Sequence, residues 1–154
     1  MDLLRRKLQD DLETERTTKM RTDIIILTKT PQLLDSCLAS LEKHADPSCI
    51  GNVVVGITGG RFAYDCWDLV AHESKLDNKD KPLNMFAVEF TIPFNYSRMN
   101  NIAANDLCNS ECVTFMNDDV VLVEDPFKRC LDVLEKDKRV GTVGIELIYP
   151  NGLL

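Results

Sequence analysis

The chain has 154 residues and a net charge of −7, with 44% hydrophobic and 28% charged residues. That length suits one domain with a real core, and the composition is that of an ordinary globular protein. No apolar run approaches the roughly 20 residues of a membrane-spanning helix, and the acidic balance excludes a nucleic-acid backbone as main partner, because such binders present basic patches.

Residues 1–22 form a charged prologue. Leu4, Leu8 and Leu12 recur every fourth residue as one helical stripe among charges. The reading is a solvated helix or arm, or a docking helix. The first residues turn charged at once and lack the apolar region of roughly 7–15 residues that marks a secretory signal. The chain therefore reads as cytoplasmic, and its six cysteines (Cys37, Cys49, Cys66, Cys108, Cys112 and Cys130) read as free thiols.

Asp23 to Thr28 is short, apolar and β-branched, a buried strand. Thr30 suits a helix N-cap and Pro31 a first helical residue. Leu34, Cys37, Leu38 and Leu41 continue as an amphipathic stripe, which Asp46-Pro47 ends. Asn52 to Ile57 is a second strand, closed by Thr58-Gly59-Gly60. Residues 61–84 carry no clear period, and the polar run from Asp77 to Lys81 reads as a surface loop.

Met85 to Ile92 is a third strand. A helix follows with Ser97 as its cap, and Met99, Ile102, Ala103 and Leu107 form its apolar face. Glu111 to Met116 is another strand, interrupted by Asn117-Asp118-Asp119 before Val120 to Val123 resume the apolar character. Asp125-Pro126 repeats the cap-and-proline device before Phe127, Cys130, Leu131 and Leu134. Val140 to Tyr149 reads as a last strand, and Pro150-Asn151-Gly152 as a turn.

Strands alternating with helices imply an α/β fold with a mostly parallel sheet flanked by helices. Ligands of such sheets bind beyond the carboxyl ends of the strands. Two polar segments fall there: Thr28-Lys29-Thr30 and Asn117-Asp118-Asp119. Adjacent carboxylates repel each other, and burial raises that cost. A divalent cation, Mn²⁺ or Mg²⁺, relieves it by accepting both, and Asn117 adds an amide oxygen. Such an ion would also supply the positive charge that an acidic chain needs beside a phosphate-bearing ligand. The same three residues also suit a plain turn.

Phe94-Asn95-Tyr96-Ser97-Arg98-Met99-Asn100-Asn101, Phe115-Met116-Asn117-Asp118-Asp119, Gly141-Thr142-Val143-Gly144 and Tyr149-Pro150-Asn151-Gly152-Leu153 occur in this order. Together with Ile24 to Thr30 they resemble the family 2 glycosyltransferases of the GT-A (Rossmann-like) fold, most of all their rhamnosyltransferase-like branch. The likeness spans residues 23–154. It implies a transferase of the kind used in polysaccharide biosynthesis, inverting and metal-dependent, that moves a sugar from a nucleoside-diphosphate sugar to a glycan or other hydroxyl acceptor. Asn117-Asp118-Asp119 stands at the family's Asp-x-Asp motif. The resemblance implies that Asp119, with Asp118, holds the metal, and that Asp118 lies near the donor's ribose or sugar. It places Thr28 and Thr30 at the nucleoside and Arg98 at the diphosphate, with Lys29 and Asn117 among the donor-binding residues.

Two departures stand out. The family carries an aspartate at the end of its second strand, where this chain reads Gly56-Ile57-Thr58-Gly59. The family also continues into an acceptor half with the general base, so the expectation is a chain truncated on its C-terminal side, with no catalytic base assigned. An exposed core surface near Val143 to Leu154 and self-association follow from that. The alternative is a non-catalytic nucleotide-sugar-binding or scaffolding module. A nucleotidyltransferase ranks last, because Leu27-Thr28-Lys29-Thr30-Pro31 contains no glycine for a phosphate loop.

Overall fold

The computed structural model describes residues 20–60, 62–73 and 83–148. The leucine stripe of the prologue, the polar loop from Asp77 to Lys81 and the turn at residues 150–152 lie outside them. Four strands, β1 (Thr22–Thr28), β2 (Ile50–Ile57), β3 (Asn84–Glu89) and β4 (Cys112–Asn117), form one parallel sheet in the order β3-β2-β1-β4. Four helices connect and cover it: α1 (Pro31–His44), α2 (Ala63–Glu73), α3 (Tyr96–Asp106) and α4 (Phe127–Lys136).

β1 is buried along its whole length, which its run of isoleucines requires. Its alternate residues serve two cores. Ile24 and Ile26 join Val53, Val55, Leu34, Leu38, Val70, Phe127 and Leu131 under α1, α2 and α4. Ile25 and Leu27 join Val54, Met99 and Ala103 under α3. The chain steps β1 to β2 to β3 with α1 and α2 on one face. It then returns past both strands to β4 with α3 on the other face. Right-handed crossovers dictate that change of face, and the order of strands reverses direction between β1 and β4. The carboxyl ends of those two strands therefore bound the crevice where doubly wound sheets bind ligands.

Several local details differ from the sequence reading. Asn95, not Ser97, caps α3, its Oδ1 accepting the Arg98 N–H at 2.9 Å. Thr30 does occupy the N-cap of α1, but its side chain makes no capping hydrogen bond. A helix, α2, fills part of the segment without a clear period. Residues 141–148 form no strand, because no neighbouring strand lies within hydrogen-bonding reach among the described residues and an extended segment becomes a strand only through a ladder. All six cysteines are free thiols, three of them buried. No helix among the described residues is long and apolar enough to cross a membrane.

Candidate functional site

Parallel pairing sets Leu27 opposite Asn117, so β1 and β4 end side by side. Thr28, the last residue of β1, is buried, and its Oγ1 donates to Asp118 Oδ2 at 2.8 Å. The same Oγ1 accepts the Thr30 N–H at 3.2 Å, so it also orders the loop into α1. Just after β2, Thr58 donates both its N–H (2.9 Å) and its Oγ1 hydroxyl (3.1 Å) to the Thr28 carbonyl. Thr58 thus spends its hydroxyl inside the protein, at the strand end where the resemblance expects an aspartate. Gly59 and Gly60 follow with φ of +78° and +102°, left-handed values that glycine adopts without strain.

Beyond β4 the chain turns at once. The Val120 N–H reaches the Asn117 carbonyl at 3.3 Å, with Asp118 and Asp119 between them. The carboxylate pair therefore does sit in a turn, and that turn lies on the crevice. Asp118 is half-buried and Asp119 exposed. Both raise the pKa of Cys37 beneath them. Burial pushes that thiol up first, the two carboxylates add to it, and the value reaches about 12. The thiol donates to the Asn117 carbonyl at 3.7 Å and stays protonated at neutral pH.

The third wall comes from the start of α3. Asn117 lies on the α3 face of β4, and Tyr96 OH donates to its Oδ1 at 3.3 Å. Arg98 stands exposed on the same first turn as Tyr96. Lys29, after β1, holds its Nζ 6.0 Å from the centroid of the exposed Phe94 ring, at the outer reach of a cation–π contact. Thr28, Thr30 and Asp118 are thus joined by hydrogen bonds, while Asn117, next to Asp118 in the chain, is bonded separately to Tyr96. Lys29, Arg98 and Asp119 stand on the loops and the helix turn around them. The sequence shows Tyr96 only as part of the Phe94 to Asn101 motif. Its place in the first turn after a strand is the signal that it faces the crevice.

This fold is not confined to the present chain. The glycosyltransferase TarS of S. aureus, in a crystal structure of residues 1–349, aligns with a TM-score of 0.59 at 17% sequence identity. The fold is similar to that of a glycosyltransferase. The alignment covers 76% of this chain and 33% of TarS, so the chain spans about one third of that structure. No protein-family model and no curated protein matches the chain.

Among the described residues no three of His, Cys, Asp and Glu come together as a ready-made metal centre. Asp118 and Asp119 offer hard carboxylate oxygens alone. That donor set fits Mg²⁺ or Mn²⁺, which take one or two carboxylates and complete their shell with water and substrate phosphates. It does not fit zinc, which prefers nitrogen and sulfur ligands.

Proposed function

We propose that this chain is the donor-binding part of an inverting, metal-dependent glycosyltransferase of family 2, close to the rhamnosyltransferase-like branch. Its ligand is a nucleoside-diphosphate sugar, and the sugar passes to a hydroxyl of a glycan or similar acceptor. The observation that carries the reading is the 2.8 Å hydrogen bond from Thr28 Oγ1 to Asp118 Oδ2 across the ends of β1 and β4. It fixes one of two adjacent carboxylates at the point where the strand order reverses. An acidic pair there has a use if a cation and a diphosphate share it.

In this reading Asp119 and Asp118 hold the cation. When bound, the ion neutralises charge on the leaving diphosphate, a Lewis-acid contribution. The chain's own residues do the rest. Thr28 and Thr30 line the nucleoside. Thr28 also keeps Asp118 from turning into solvent. Arg98 and Lys29 bring positive charge to phosphates in a protein whose net charge is −7, and positive charge there stabilises the leaving group. The residue that takes the proton from the acceptor hydroxyl is not assigned.

Calorimetric titration with UDP, GDP and dTDP, with and without Mn²⁺, tests this. One of the three binds in a Mn²⁺-dependent manner, and Asp119→Ala weakens that binding by about tenfold or more, the scale at which groups around a metal act. A folded chain that binds none of them removes the proposal.

A further inference from the structure

We propose that Tyr96 is a positioning residue that turns the Asn117 amide oxygen toward its own hydroxyl, so that Asn117 serves the bound ligand as a hydrogen-bond donor and not the cation as a ligand. This rests on the donor-binding reading above and changes the role of one residue within it. From the sequence, the amide oxygen of Asn117 counts as a third hard ligand beside the two carboxylates.

The geometry argues otherwise. Side chains alternate across β4. Met116 points into the core beneath α1, and Val113 packs in the core beneath α3. Asn117 shares the parity of Val113 and so faces α3, where Tyr96 OH meets its Oδ1 at 3.3 Å. An oxygen that accepts this bond directs its amide nitrogen away from the tyrosine, and the two Nδ2 protons remain to be given.

Tyr96 is itself held in place. It opens α3, whose N-terminus is capped by Asn95. The Met99 N–H bonds the Asn95 carbonyl at 2.9 Å, and the buried Asn100 donates its Nδ2 to the Tyr96 carbonyl at 3.0 Å. The Asn117 backbone is fixed as well, through β4 pairing and the Val120 and Cys37 contacts to its carbonyl. Both backbones are thus fixed, and the two side chains they carry meet at the Tyr96 OH to Asn117 Oδ1 contact.

The charge balance agrees with this. Beside two carboxylates, a further oxygen would add repulsion toward phosphate oxygens, which only accept. A neutral N–H donor adds attraction. The ligand group that Asn117 meets is therefore an oxygen, of a phosphate or of a sugar hydroxyl.

Four variants decide the matter: Tyr96→Phe, Asn117→Ala, Asn117→Asp and the double variant Tyr96→Phe/Asn117→Ala. Each is titrated with the preferred nucleoside diphosphate in Mn²⁺, and its thermal midpoint is recorded. Tyr96→Phe and Asn117→Ala each weaken binding about three- to tenfold, the range of one hydrogen bond, with unchanged thermal midpoints. The double variant is no weaker than Asn117→Ala, because the hydroxyl acts only through the amide. Asn117→Asp weakens binding at least as much as the alanine. Additive losses, or an Asn117→Asp variant that binds as tightly as the wild type in Mn²⁺, overturn the inference and leave the donor site standing. A wild-type chain that binds no nucleoside diphosphate overturns both.

Discussion

Asp23 is a charged side chain with no exposed surface, and it lies at the opposite end of β1 from the crevice. Burial alone would raise its pKa. The backbone N–H groups of Ser110 and Asn109, the Ser110 hydroxyl and the Asn52 N–H outweigh that and leave it lowered. The bonds are short: 2.7 Å from Asn109, 3.0 and 2.7 Å from Ser110, and 2.6 Å from Asn52. One carboxylate therefore ties the start of β2 and the loop before β4 to β1. Asp23→Asn turns an amide nitrogen toward donors, and it lowers stability by about 3 kcal/mol, measured by urea unfolding at about pH 7. The sign of the pH dependence follows from the lowered pKa. The stabilisation is complete above the ordinary carboxylate range and is lost as pH falls through that range toward the lowered value. The gap between wild type and variant therefore narrows when the experiment is repeated at about pH 3. The sequence shows Asp23 only as the polar start of an apolar run, since its partners lie in two distant segments.

Among the elements, what could be read in advance follows from the physics of each. The β-branched run at Ile24 to Ile26 and the stripe at Leu34, Cys37, Leu38 and Leu41 are local patterns, and both elements stand where the patterns fall. α2 was not legible because its buried stripe is thin: Cys66 and Val70 face the core, while Tyr64 and Trp67 are exposed. The cap of α3 could not be chosen from composition, since Asn95 and Ser97 both suit it and only the extended backbone at Asn95 decides. Of the site, the Thr28 to Thr30 and Asn117 to Asp119 segments were legible from strand ends, but the contacts of Asn117 with Tyr96 and of Thr58 with Thr28 depend on register. Register also explains Gly51. The pairing slips by one residue between Thr22–Ile50 and Ile24–Val53, and a Cβ at Gly51 would fall on Asp23 Oδ1 and Ser110 Oγ. Those atoms are held by the bonds just described and have little room to yield. Gly51→Ala therefore costs about 1–3 kcal/mol, read as a lower urea midpoint with an unchanged slope.

For the whole molecule, the sheet order sets where apolar surface is left over. β1 is covered on both faces and paired on both edges. β4 is paired only with β1 among the described residues, and no other described strand pairs with the N–H and C=O groups of its outer edge. Apolar residues in and after that edge strand are exposed as well: Phe115 at 51%, Val123 at 77% and Leu147 at 68%. An unpaired edge combined with exposed apolar side chains is a template for association. The expectation is self-association, read in sedimentation velocity as an apparent mass that rises above 17.4 kDa with concentration. Lysine at Val123 and Leu147 together reduces it, because like charges then meet wherever two copies pair. The same double variant leaves nucleoside-diphosphate affinity unchanged, since neither residue is among those assigned to the ligand. A mass that stays at the monomer value at all concentrations refutes the expectation. A rise that the double variant does not reduce moves the contact to another face of the sheet.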